Sequence, residues 1–268
     1  MVKGVEIMEN IRIGFIGYGN MATAIAKGLV NSQKIKPEQL YACALHYDKL
    51  CVNTKKLGIH ALKTASEVVK TCDFIILAVK PYMIREVVEP IKEQLKNKVV
   101  ISIAAGVYFA DYENILLKGT HHISTIPNTP VSVNAGIFVC EATHSLNDNE
   151  LMLFKSVFSN IALLKFVETK QLSIAGTICG CTPAFTAMYL EALGDAGVLH
   201  GLSRSDAYEM SAMMLMGTGM LYLEEKQHPG MMKDAVCSPG GTTIKGVAQL
   251  EKSGFRNAVI EAIQMIEG

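Results

Sequence analysis

An apolar run, Ile11–Ile16, leads directly into Gly17-Tyr18-Gly19-Asn20-Met21-Ala22, and Asn20–Val30 then carries a helical pattern. The spacing is G-x-G-x-x-A. The first glycine permits a tight turn, the second lets the backbone approach a ligand, and the small Ala22 lets the helix pack close to the strand. A helix that starts here presents free N–H groups and the positive end of its dipole, which favour an anion such as a pyrophosphate. Strand, turn and helix together predict a dinucleotide-binding unit; an ordinary glycine turn is the plainer alternative.

The first half continues in the same manner. Leu40–Leu45, Phe74–Val79, Val99–Ile103, His122–Ile126, Ile137–Cys140 and Ala162–Val167 read as strands. Asp48–Leu57, Pro81–Leu95 and a stretch from Asn147 read as helices. Unbroken apolar runs such as Phe74–Val79 suit parallel strands buried on both faces. The alternation predicts a parallel sheet flanked by helices. Beyond Lys170 no strand pattern appears, and Pro183–His200, Ser203–Glu225 and Thr242–Gly268 are helical in period. The expected fold class is α/β: an N-terminal Rossmann-type doubly wound sheet over residues 1–168, then an all-helical domain over 169–268. The second segment is small and apolar, rich in Ala, Gly and Met, which suits a dimer interface better than a second solitary core.

Composition limits the partners. The 268 residues carry 25 basic and 25 acidic side chains with no basic block, which argues against nucleic acid or an anionic membrane. Met1–Asn10 is short, mixed and charged rather than a secretory signal, and Met8 is a second candidate start. The uncharged stretch Met210–Leu223 falls short of the roughly 20 residues of a membrane span. Its Met cluster reads as packing. Seven cysteines, an odd number without a secretory signal, point to free thiols and a cytoplasmic location. Cys179-Gly180-Cys181 lacks zinc spacing and His121-His122 has no third ligand placed for it, so no metal is expected.

The second strand ends Cys43-Ala44-Leu45-His46, with no carboxylate for a ribose 2′-hydroxyl. His46 and Lys49 would attract a 2′-phosphate, which favours NADPH over NADH; Asp48 in the ribose role is the alternative. Ala78-Val79-Lys80-Pro81 and Ile103-Ala104-Ala105-Gly106 place small residues at strand ends, where a cofactor needs room. Lys80 either meets a phosphate or caps a turn. Cys237-Ser238-Pro239-Gly240-Gly241-Thr242-Thr243-Ile244 forms a tight loop ahead of a helix. Its hydroxyls and free N–H groups suit a small carboxylate, and an ordinary helix cap reads equally well.

These pieces also occur in a recognisable order. Gly14-Phe15-Ile16-Gly17-Tyr18-Gly19-Asn20-Met21-Ala22, Ala78-Val79-Lys80-Pro81, Ala104-Ala105-Gly106 and Pro127-Asn128-Thr129-Pro130 come first. Asp195-Ala196-Gly197-Val198, His228-Pro229-Gly230, Lys233-Asp234 and Ser238–Ile244 follow. Over nearly its full length the chain resembles the pyrroline-5-carboxylate reductase family. The P-N-T-P and S-P-G-G-T-T pieces are the specific ones. The resemblance implies a Rossmann domain with a helical dimerisation domain, dimers that often assemble further into decamers, and reduction of 1-pyrroline-5-carboxylate to L-proline by NADPH or NADH. It implies cofactor contacts at Ile16, Gly17, Tyr18, Gly19, Asn20 and Met21, at Ala78, Val79, Lys80 and Pro81, and at Ile103, Ala104 and Ala105, with Ala44 and His46 beside them. It puts Glu168, Thr242 and Thr243 at the substrate, with Ser238, Gly240 and Gly241 shaping the loop. Thr243 is the candidate to hydrogen-bond the ring nitrogen; no residue type fixes the proton donor.

Three places depart from the family pattern. The usual S-G-S-G-P-A is Cys179-Gly180-Cys181-Thr182-Pro183-Ala184, so Thr182 would be strained if that position needs a positive φ. Ala65 stands for a polar residue near the adenosine, and Ala235 for a frequent Asn or Gln. They leave a non-catalytic dinucleotide-binding paralogue as the second reading. A β-hydroxyacid dehydrogenase shares the glycine motif but needs a lysine that Thr182–His200 lacks.

Overall fold

A computed structural model describes residues 10–268; the proposed start at Met8 lies outside the described residues. Two compact units divide between Gly180 and Cys181. The first holds an eight-stranded sheet: β1 (Ile13–Ile16), β2 (Leu40–Cys43), β3 (His60–Ala61), β4 (Phe74–Leu77), β5 (Val99–Ser102), β6 (His121–Pro127), β7 (Gly136–Glu141) and β8 (Ala162–Val167). Their order is β3-β2-β1-β4-β5-β6-β7-β8. β1 to β6 are parallel, as the apolar runs predict.

The last two strands correct the all-parallel expectation. β7 runs antiparallel to β6, and β8 is parallel to β7. Only residues 128–135, largely a 3-10 turn at Thr129–Val133, join β6 to β7. A parallel return needs a crossover of a dozen residues or more, so this short link turns the chain back on itself.

Helices α1 (Asn20–Asn31), α2 (Tyr47–Lys55), α3 (Ala65–Thr71), α4 (Ile84–Val88), α5 (Lys92–Leu95), α6 (Phe109–Glu113), α7 (Asp148–Phe158) and α8 (Leu172–Gly176) complete the unit. Pro81–Leu95, expected as one helix, is a series of short turns around α4 and α5. Pro90 explains the break: it supplies no N–H and clashes with the preceding turn. Thr64 and Asn147 cap α3 and α7, each reciprocated by a glutamate three residues on. Two cores cover the sheet, one containing Ile25, Leu29 and Phe158, the other Val68, Val88 and Leu95.

The second unit is helical: α9 (Thr182–Leu199), α10 (Arg204–Glu225), α11 (Pro229–Ala235), α12 (Thr242–Lys252) and α13 (Phe255–Glu267). The expected helix Thr242–Gly268 divides at Ser253-Gly254, where Gly254 takes φ +76°. α9 and α10 form a close hairpin, because Gly194 leaves room for the Tyr208 ring; a Cβ at Gly194 would lie 2.2 Å from it. Among residues 181–268 only Gly194 and Ala207 are buried. No helix among the described residues is long and apolar enough to cross a membrane.

α1 meets the Thr129–Val133 turn through Gly28, where a Cβ would fall 2.1 Å from the Val131 carbonyl oxygen. That neighbour is backbone and cannot swing aside. Gly28→Ala is expected to cost about 1–3 kcal/mol by overpacking; a urea midpoint equal to wild type would show the crossing to be looser than described.

Candidate active site

The carboxyl ends of four parallel strands lie in one register: Ile16 pairs with Cys43 and with Leu77, and Leu77 pairs with Ser102. Gly17, Ala44, Ala78 and Ile103, each the next residue along its strand, therefore line one edge of the sheet. The strand order reverses between β1 and β4, which is where an open α/β sheet leaves a crevice for a ligand.

Gly17 makes the turn. Its φ is +90°, and a Cβ would lie 2.6 Å from the Ala78 carbonyl oxygen and 2.8 Å from Val79 Cγ1. Only glycine fits. Its N–H donates to Cys43 O at 2.9 Å, and Ala78 N–H donates to Ile16 O at 2.8 Å, so the turn is stitched to strands on both sides. Gly19, the residue before α1, is exposed with open space above its α-carbon. No side chain caps α1 and its first turn holds no acidic residue. The uncapped amides, the open approach at Gly19 and the helix dipole fit the pyrophosphate of a dinucleotide.

Side chains sort around this turn. Asn20 is exposed and Met21 half-buried. The Tyr18 ring is buried edge-on against Phe15, 5.9 Å between centroids. Burial pushes its phenol up to about 12, with the Thr23 hydroxyl pulling the other way. His46 and Lys49 are exposed at the start of α2, and Asp48 is exposed beside them. Lys80 is exposed, and its backbone carbonyl accepts from Met83 N–H at 2.9 Å, closing the turn. Lys63 sets its ammonium 6.0 Å from the Tyr47 ring centroid.

The loop after β5 is pinned from beneath. Ser102 Oγ accepts from Ala104 N–H at 3.1 Å and shares a 2.6 Å hydrogen bond with the Tyr112 hydroxyl. The Thr125 hydroxyl donates to Ser102 O at 2.8 Å. Asn128, from the P-N-T-P segment, accepts from Ile137 N–H at 2.8 Å and donates to Cys179 O at 3.1 Å. Its place there is structural. His121 and His122 pair with Glu150 and Glu113 at 2.6 and 2.8 Å. His122 also stacks on Phe109, and burial depresses its basicity. Among the described residues no three His, Cys, Asp or Glu side chains gather as metal ligands.

In the second unit the Ser238–Thr243 loop makes its own turn. Gly240 has φ +69°, and Gly241 N–H donates to Ser238 O at 3.0 Å. A Cβ at Gly241 would come 2.4 Å from Ser238 Oγ. α12 then opens with Thr242 and Thr243 exposed, no side-chain cap and no acidic residue in its first turn. An uncapped helix start with two hydroxyls can accept a carboxylate. Glu168 is exposed and pairs with Lys170 at 2.8 Å.

The substituted segment shows no strain. Thr177–Cys181 forms a π-helical turn, and Thr182 enters α9 in ordinary helical geometry, outside the positive-φ set. The feared left-handed threonine is absent. Cys179 is half-buried, which raises its thiol. Ala65 opens α3 behind the Thr64 cap, and Ala235 ends α11.

Comparison with known proteins agrees with both halves. Residues 12–106 match the family described as NADP oxidoreductase coenzyme F420-dependent, and residues 169–267 the one described as pyrroline-5-carboxylate reductase dimerisation. Pyrroline-5-carboxylate reductase of Treponema pallidum (strain Nichols) is 42% identical over 95% of this chain and 98% of its own. That of Escherichia coli (strain K12) is 38% identical over 94% of each. The NADP-bound crystal structure of Plasmodium falciparum pyrroline carboxylate reductase superposes with a TM-score of 0.86 at 30% identity, covering 97% of this chain and 96% of that one. The Coxiella burnetii reductase gives 0.84 at 30% identity, covering 96% of each. With full-length relatives at this identity and both glycine turns intact, this chain belongs to the pyrroline-5-carboxylate reductase family.

Proposed function

We propose that the chain reduces 1-pyrroline-5-carboxylate to L-proline with NADPH, the closing step of proline synthesis, and accepts NADH less well. The observation that carries this is the pair of uncapped helix starts, at α1 for a pyrophosphate and at α12 for a small carboxylate, within one family member.

The bound nicotinamide supplies the hydride. The chain's part is to hold and orient. The amides at Asn20 and Met21 would take the pyrophosphate, and His46 with Lys49 the 2′-phosphate. Ala44, Ala78–Pro81 and Ile103–Ala105 leave room along the sheet edge. Residues 238–243 would grip the carboxylate, with Glu168 also at the substrate. The Thr243 hydroxyl would hydrogen-bond the ring nitrogen, whose protonation makes the imine carbon electrophilic. Division of labour follows the chain: residues 1–168 for the dinucleotide, with Glu168 at their end reaching the substrate, and 169–268 for substrate and dimerisation.

The assembly reading rests on α10. Met213, Met216, Met220, Leu221 and Leu223 are all more than 40% exposed on the single chain. A helix apolar all round needs cover, and a second copy supplies it. We read the protein as a homodimer through its C-terminal helices, with the decamer as the higher form. All seven cysteines are free, which supports a reducing, cytoplasmic location.

Three measurements test this. Purified protein should oxidise NADPH when given 1-pyrroline-5-carboxylate, and Thr243→Ala should lower kcat/KM roughly ten-fold or more, as for a lost hydrogen bond near the reacting atoms. No turnover by folded, NADPH-binding protein would favour the non-catalytic paralogue. His46→Asp should weaken NADPH at least about ten-fold while sparing NADH, because a carboxylate repels the 2′-phosphate; unchanged affinities would remove His46 from the site. Met213→Arg should shift sedimentation toward monomer or aggregate, and an unchanged assembly would place the interface elsewhere.

A further inference from the structure

Glu141 ends β7 and is 1% exposed, yet it is a carboxylate. Its two oxygens go to two distant stretches of chain. Oε2 accepts the Phe109 N–H at 2.7 Å, and Oε1 accepts the Thr169 hydroxyl at 2.6 Å. No ion pair to it forms among the described residues. Burying a carboxylate without a cation is unfavourable unless its hydrogen bonds replace water, and a fold that only needed a β7 terminus would take an apolar residue there.

The two partners are informative. Phe109 closes the loop that begins at Ile103, so that loop is held by Ser102 at one end and by Glu141 at the other. Thr169 directly follows Glu168. One buried side chain thus spans the cofactor loop and the substrate segment. We infer that Glu141 is a positioning residue, setting Ile103–Tyr108 and Glu168–Thr169 relative to each other so that cofactor and imine meet at the right separation. This rests on the site reading given above. Small misplacements of this kind weaken reaction far from the residue changed.

Three variants test it. Glu141→Ala leaves both donors without an acceptor. Glu141→Gln keeps one oxygen for the Phe109 N–H and turns its amide toward the Thr169 oxygen. Thr169→Val, on an exposed residue, cuts only the substrate-side bond. Per folded molecule, Glu141→Ala should lower kcat/KM roughly ten- to a hundred-fold and raise the NADPH Kd, read by fluorescence without turnover. Thr169→Val should raise the imine KM roughly five-fold, as for one lost hydrogen bond, and leave the NADPH Kd unchanged. Glu141→Gln should restore most of both. A merely structural Glu141 predicts lower melting temperatures with wild-type constants in every variant, and that result would overturn the inference while wild-type turnover upholds the site. Wild-type protein that neither binds NADPH nor turns over would remove both.

Discussion

Gly17 sits where two adjacent parallel strands give up their chain, and its α-hydrogen is all that separates it from the Ala78 carbonyl oxygen. A Cβ would stand 2.6 Å from that oxygen at φ +90°. Because the turn is this tight, α1 begins at the sheet edge with its amides uncovered, beside strand ends that their pairing holds in register. The tight turn and the uncovered amides at the start of α1 follow from that one contact, and the strand register sets the rest of the crevice beside it.

Where hydrophobic runs were long and caps were present, the sequence spoke for the structure. Phe74–Leu77 and Val99–Ser102 lie where the apolar runs put them, and the helix expected from Asn147 starts there, with Asn147 as its cap. β3 has two residues, too few for any periodicity to register, and α3 behind it went unread despite its Thr64–Glu67 capping box. The reversal at β7 could be read only from the short link between His122–Ile126 and Ile137–Cys140, because strand composition carries no direction. Gly254 divides the last helix by taking a left-handed conformation that an apolar period does not record.

Of the candidate site, the two glycine turns were legible in the sequence. Glycines whose Cβ would collide with backbone or a hydroxyl, at 17 and 241, carry signal in the motif itself. The position of Tyr18 in the glycine loop says nothing about which way its ring turns, and the fold buries that ring against Phe15. Glu141 left no signal: a lone glutamate after Cys140 reads as the solvated end of a strand, and only the fold brings Phe109 and Thr169 to it. The helical unit shows the opposite case, in which α10 leaves methionines exposed on the single chain although their run reads as packing in the sequence.

The central claim is that hydride passes from NADPH to the imine carbon of a ring held by its carboxylate. The direct measurement is mass spectrometry of the product after reaction with NADPH deuterated at the transferring position of C4. The account predicts L-proline carrying a single deuterium on the carbon next to nitrogen that bears no carboxylate. Unlabelled proline, or cofactor oxidised with no proline formed, would contradict it.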